Sequence, residues 1–264
     1  MLTSTRSPHV ARLRRLHERK GRQQSGTFLA EGPDCVAAAL DAGWVREVLA
    51  EPGHPLAVRA RNAGVPVHDA EGRVITAICD TKTAQGIVAE CDLPNVTVEQ
   101  ALSGAGPIVV CDRLADPGNL GTIIRTAEAV GASGVLTTHG SVDTWNPKVV
   151  RASAGSIFRI PVVQLASAVE AMQRTRQAGW MTVALSAQAP VTVFDVVADR
   201  TRAGGGHTRI AWMVGSEAHG IDAQAATAAD VRARIPMSPT VESLNAAIAV
   251  AICLYAAVGA TADE

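Results

Sequence analysis

Three stretches of this sequence combine an apolar run with a loop of residues that can do chemistry. The first is residues 112–132, DRLADPGNLGTIIRTAEAVGA, where Asp116-Pro117-Gly118-Asn119 reads as a turn and helix cap. Ile123, Ile124, Ala127 and Val130 then mark the buried side of a helix. Arg125 falls off that stripe, free to face a cleft, though the segment read alone favours a surface arginine. The second stretch is Val214-Gly215-Ser216-Glu217-Ala218-His219-Gly220. Here Gly215 permits close backbone approach to a ligand, Gly220 supplies a permissive turn, and Glu217 offers a carboxylate to a hydroxyl or a cation. Taken alone it is also an ordinary strand-to-helix turn. The third, residues 235–257, runs from Ile235 through two prolines into a very apolar helix beginning near Ser243-Leu244-Asn245. Ile235, Met237 and Leu244, beside free backbone donors and acceptors, form an apolar slot for a planar heterocycle with polar edges.

The elements that must hold these loops follow from the pattern around them. Ile108–Cys111 is a continuous apolar strand of the kind buried on both faces of a parallel sheet. Further strands are expected at Gly134–Thr138, Met181–Leu185, Ile210–Val214 and Val231–Ile235, with helices at Asn119–Val130, Ala166–Ala178 and Glu242–Val258. Strands alternating with crossover helices predict an α/β fold with an open parallel sheet, whose ligands sit beyond the carboxyl ends of the strands. The site is therefore sought after Cys111, Val214 and Ile235. Upstream, strands at Phe28–Ala30, Val45–Ala50 and Gly86–Glu90 and a helix from Pro33 to Ala42 predict a separate small α/β domain. The expected layout is a basic arm or helix over 1–25, a small domain over 26–92, a linker over 93–106 and the larger domain over 107–264.

Composition narrows the partners. Hydrophobic residues make up 47% of the 264 and aromatic residues 3%, so the cores are built from aliphatic side chains. The net charge of −1 conceals a local +6 within residues 1–25. Arg12, Arg15, Arg19 and Arg22 in that arm are candidate phosphate contacts, which would gain affinity by counterion release; a solvated helical face is the plain alternative. The five cysteines are scattered with no zinc spacing, so each is expected to be a small core residue, with no metal bound and a reducing cytoplasm as the setting. No apolar segment follows the N-terminus as in a signal peptide. The longest apolar run, Ala246 to Ala260, is shorter than the roughly 20 residues a bilayer needs, so a soluble protein without a membrane partner is expected.

Together the three stretches resemble the signature motifs of the SPOUT superfamily, in its TrmH (SpoU) branch of RNA ribose 2′-O-methyltransferases. Asn119 and Arg125 in NLGTIIRTA match the first motif, Gly215 to Gly220 the second, and Ile235 to Asn245 the third. The segment Asn146 to Ser156 is similar to the family's connecting segment. Gly26 to Gly32 opens a region similar to the family's accessory RNA-substrate domain, shaped like ribosomal protein L30 (L30e-like). Two positions depart from the pattern: Ala218 replaces a usual glycine, and Pro239 stands where glycine often follows the methionine. The resemblance implies a trefoil-knotted C-terminal domain that binds S-adenosylmethionine and pairs into a homodimer. It implies methylation of a ribose 2′-hydroxyl in RNA, ribosomal RNA first, with transfer RNA or a non-catalytic RNA-binding role as alternatives. By the same resemblance Arg125 is the central catalytic residue. Because arginine keeps its proton, it is expected to hold substrate phosphate and stabilise the emerging alkoxide. Asn119 would orient nearby groups, and Glu217 and Asn245 would shape the site.

Other open-sheet chemistries lack their marks. No G-x-G-x-x-G follows an expected strand, Gly204-Gly205-Gly206 leads into a strand and not a helix, and no G-K-[ST] is present.

Overall fold

The computed structural model describes residues 1–79, 84–202, 209–216 and 218–259. Glu217 and the triplet Gly204–Gly206, both singled out above, lie outside the described residues. The chain forms two compact units, one of residues 1–95 with 143–159 and the other of 96–142 with 160–264.

The first unit holds a four-stranded sheet of β1 (Thr27–Glu31), β2 (Val45–Ala50), β3 (Val67–Asp69) and β4 (Ile87–Asp92), in the order β1-β4-β2-β3. β4 runs antiparallel to both its neighbours, and β3 parallels β2. The Pro33–Ala42 helix forms as expected, with Pro33 in its first turn and Gly43 at φ +71 closing it.

The basic arm is helical, as one of its two expected forms, but it is packed into the unit and is not a solvated face. Pro8–Arg14 and Arg19–Ser25 are helices, and Val10, Leu13 and Leu16 are fully or almost fully buried in one cluster with Leu29, Leu49, Ile75 and Val88. The arm is thus a wall of this unit's core, because an apolar stripe at helical spacing underlies its arginines. Residues 143–159 also belong here. Trp145 and Phe158 stack around Phe28 and Trp44 at centroid distances of 4.8–6.1 Å, and Arg151 donates to the buried carboxylate of Glu31.

The second unit is a seven-stranded, all-parallel sheet of β5 (Ile108–Asp112), β6 (Gly134–Thr138), β7 (Val162–Leu165), β8 (Met181–Leu185), β9 (Val191–Thr192), β10 (Ile210–Gly215) and β11 (Val231–Arg234). Their order is β7-β6-β5-β10-β8-β11-β9. Alternate residues of the central strands face opposite sides. Ile108, Val110, Ala211 and Met213 pack against Ala168, Ala171 and Met172 of the Ala168–Gln177 helix. The helices Pro117–Ala129 and Ala246–Gly259 pack on each other and on the sheet. Three strands were not anticipated, β3, β7 and β9, and each lies at a sheet edge. They are two to four residues long and half-exposed, so no apolar run announces them. The expected linker is also shorter. Thr97 caps a one-turn helix, Val98–Ala101, in a capping box with Gln100, and Val98 and Ala101 join the second core.

The five cysteines are buried. Burial pushes the Cys35 thiol up to about 11 and raises those of Cys79, Cys91 and Cys253, so none of these four carries a thiolate at neutral pH. Among the described residues no helix is long and apolar enough to cross a membrane.

Candidate functional site

In the second unit the chain leaves β5 toward β6 on one side and leaves β10 toward β11 on the other. That reversal opens a crevice at the carboxyl ends of the strands. A cavity of about 390 Å³ lies beside that point, at the carboxyl ends of β8, β10 and β11, lined by Val214, Gly215 and Ser216 from the end of β10, Gly220 and Ile221 from the loop beyond, Ile235 and Met237 after β11, and Glu242 to Ala246. Gly215, Ile235, Met237 and Leu244, the four residues expected to hold a heterocycle, all line it. Leu185, Ser186 and Ala187 after β8 line it as well, and the sequence reading did not pick them. Their position just past a strand's carboxyl end was the available signal.

Gly215 is required by its own loop. A β-carbon there would stand 2.0 Å from the carbonyl carbon of Gly220 and 2.2 Å from the nitrogen of Ile221. The loop doubles back through a Ser216–Gly220 bridge, with the Gly220 amide donating to the Ser216 carbonyl at 2.8 Å and Gly220 at φ +64. The close approach expected between Gly215 and a ligand is therefore first an approach of backbone to backbone, which forms the cavity wall.

Asp112, 2% exposed at the end of β5, ties this loop to the first one. Its carboxylate accepts from the Asp222 amide at 2.8 Å and from the Thr138 hydroxyl at 2.9 Å, and pairs with Arg113 at 3.2 Å. Arg113 sits at φ 52, an unfavourable region that these bonds hold.

The first loop meets the third through two amides. Asn245 Nδ2 donates to Asn119 Oδ1 at 2.9 Å, while Asn245 Oδ1 accepts from the amides of Ala247 and Ile248. That capping starts the last helix at Ala246 and not at Glu242, since the residue that caps a helix stands outside it. Asp116 caps the Pro117–Ala129 helix by accepting from the Asn119 amide at 2.7 Å, two residues ahead of the expected start. Pro239 fits its place: the Val241 amide donates to the Ser238 carbonyl, which puts proline at the second position of a turn. Arg125 lies on the exposed side of its helix, and no hydrogen bond or ion pair engages it among the described residues.

Of the four arm arginines, Arg15 and Arg19 are exposed, and no hydrogen bond or ion pair engages their side chains among the described residues. Arg22 is 2% exposed and donates to Asp143 and to the carbonyls of Leu16 and His17, leaving no fork for phosphate. Arg12 donates to Glu90 at 2.7 and 2.8 Å and to Glu47 at 2.5 Å. His9 and His68 contact the same Glu47 at 2.8 and 3.0 Å, a cluster no sequence motif marked. With a guanidinium already on Glu47, that carboxylate's charge is matched from within the chain.

A parallel α/β sheet with a cavity beyond the carboxyl ends of β8, β10 and β11, and paired amides beside it, fits the class of methyltransferases that hold S-adenosylmethionine beyond their strand ends. The chain belongs to the SpoU rRNA methylase family, which matches residues 106–255. Residues 7–89 match the MRM3-like substrate binding domain. It is 32% identical to the 23S rRNA guanosine 2′-O-methyltransferase RlmP of Bacillus subtilis, over 96% of this chain and 97% of that one. Among solved structures it is similar to an AdoMet-bound rRNA methyltransferase from Sinorhizobium meliloti, with TM-score 0.83, 30% identity and coverage of 97% and 96%. It is also similar to the SpoU methyltransferase AviRb from Streptomyces viridochromogenes in complex with AdoMet, with TM-score 0.83, 27% identity and coverage of 98% and 100%. The parallel sheet is seen directly, and the trefoil-knotted path expected above goes with the family.

Proposed function

We propose that this chain transfers the methyl group of S-adenosylmethionine to a ribose 2′-hydroxyl of ribosomal RNA. The observation that carries this is the cavity: Gly215, Ile235, Met237 and Leu244 line one space of about 390 Å³, and Asn245 joins its wall to Asn119 on the helix that bears Arg125. A volume of this order, apolar with backbone edges at strand ends, fits a nucleoside-bearing cofactor. When bound, the cofactor supplies an activated methyl on a sulfonium.

The chain's own residues do the rest. A ribose hydroxyl is weakly nucleophilic until its developing charge is stabilised. Arg125, unpaired and permanently charged, holds substrate phosphate and stabilises that charge, while Asn119 and Asn245 fix each other and the loops they cap. The substrate is gripped by the first unit, where exposed Arg15 and Arg19 contact phosphate; Arg12 and Arg22 hold the unit's fold. The RlmP relative and the rRNA methyltransferase from Sinorhizobium meliloti support rRNA as the substrate and the cytoplasm as the place of action.

Two copies pair through the final helix of the second unit, whose Ile248 and Tyr255 are 52% and 56% exposed on one apolar face.

The test is transfer of labelled methyl from S-adenosylmethionine to RNA, with 2′-O-methyl sites mapped in ribosomal and transfer RNA from cells with and without the gene. Loss of one ribosomal 2′-O-methyl in the deletion strain is expected. A missing methyl in transfer RNA alone would move the substrate, and no change in either would leave a non-catalytic RNA-binding role.

A further inference from the structure

We propose that Glu242 is the residue by which this pocket distinguishes the cationic methyl donor from its neutral demethylated product. The proposal rests on the reading of the cavity as the S-adenosylmethionine site. Among the described residues that line the cavity, Glu242 is the one ionisable side chain; the others are apolar, hydroxyl, glycine or amide. Among the described residues no hydrogen bond or ion pair engages its carboxylate, and no lysine or arginine of the lining stands there to neutralise it. The wall therefore carries an uncompensated negative charge.

The ligand carries the complementary difference. S-adenosylmethionine has a carboxylate, an ammonium and a sulfonium, for a net charge of +1. Transfer of the methyl leaves a thioether sulfur, and the product is net neutral. A carboxylate within several ångström attracts the first and is nearly indifferent to the second. At a solvent-open wall that attraction corresponds to about three- to thirtyfold in affinity. Because the sulfonium loses charge on the way to the transition state, the carboxylate stabilises the bound donor more than the reacting complex. It therefore favours donor binding and product release and lends nothing to the chemical step, which it leaves unassisted or slightly slowed. Once the methyl has left, the attraction that held the donor is gone.

The experiment is calorimetry on the full chain, parent and Glu242→Gln, with three ligands: S-adenosylmethionine, S-adenosylhomocysteine, and sinefungin, which carries a protonated amine where the donor has its sulfonium methyl. Glu242→Gln is expected to weaken the two cationic ligands by about three- to thirtyfold and to leave S-adenosylhomocysteine within about twofold. The difference should narrow as ionic strength rises from about 0.05 to about 0.5 M. Glu242→Asp, which keeps the charge, should retain most of the preference. In single-turnover transfer over a series of donor concentrations, Glu242→Gln should raise the half-saturating concentration without lowering the rate constant reached at saturation. Equal weakening of all three ligands would make Glu242 a shaper of the pocket, and no change in any would make it a solvated surface group; either overturns the proposal. If none of the three binds the parent protein, the cavity assignment itself falls and takes the proposal with it. Thermal melting without ligand confirms that the variants fold.

Discussion

Asn245 does two jobs with one side chain, and its two atoms can be tested apart. Asn245→Ala removes both the helix cap and the bond to Asn119, at a cost of about 1 kcal/mol for the cap. Asn245→Asp keeps an oxygen for the Ala247 and Ile248 amides and loses only the donor to Asn119. Thermal melting should show the alanine variant about 2–4 °C below the parent and the aspartate variant near it, while methyl transfer falls in both. An aspartate variant with full activity would show that the amide bridge serves the fold alone. Arg125 is the opposite case, a side chain with no structural partner to lose. Arg125→Ala should melt like the parent and bind cofactor like it, yet lose about 10²–10³ in single-turnover rate. Arg125→Lys should also be slow, since an ammonium lacks the bidentate fork. Turnover within a few-fold of the parent would return Arg125 to the surface and move the centre toward Asn119 and Asn245.

At the scale of elements, the loop after β10 is the least forgiving. Gly215→Ala places a methyl 2.0 Å from the Gly220 backbone, where no flexible side chain can give way. The loop must open, so cofactor binding measured by calorimetry should vanish while much of the sheet persists by circular dichroism. Binding within a few-fold of the parent would show that the loop does not wall the cavity. The N-terminal helices carry a different kind of test. Burial pushes the Glu47 carboxyl up, but bonding from His9 and the charges of His9 and Arg12 outweigh it and hold the group below its ordinary 4.5. A carboxyl depressed in the folded state stabilises above its unfolded value, and that stability is lost as pH falls through the depressed one. Melting temperature should therefore fall with acidification below about pH 4.5, and Glu47→Gln should flatten the curve there. A Glu47→Gln profile parallel to the parent's would remove the cluster from the acid response. Deletion of residues 1–25 would strip Val10, Leu13 and Leu16 from the first core, so the arm's RNA contacts are better tested by Arg15→Ala with Arg19→Ala in the intact chain.

The whole molecule is expected to be a dimer. The final helix buries Val250, Cys253 and Leu254 and leaves Ile248 and Tyr255 outward, an apolar face on both sides of one helix. Glu at both positions 248 and 255 should shift sedimentation from dimer to monomer while leaving the buried side intact. A monomeric parent would show that face to have another use.

Much of this could be read from the chain itself. Continuous apolar runs located β5, β6, β8 and β10, because strands buried on both faces must be apolar at every position. Asp116, Pro117 and Gly43 marked helix ends, because capping is a local matter of orphan amides and backbone dihedrals. The residues of the cavity were legible for the same reason, since loops at strand ends are fixed by the strands before them. What the sequence could not say is which surfaces meet. Periodicity reports that Val10 and Leu13 are buried but not beneath what. It cannot turn Arg22 inward to Asp143, 121 positions away, or bring Asn245 to Asn119 across 126. Nor could it assign residues 143–159 to the first unit or bring Leu185 to Ala187 into the cavity. Those pairings are non-local, and only the packed structure, where each buried charge and edge must find its partner, decides them.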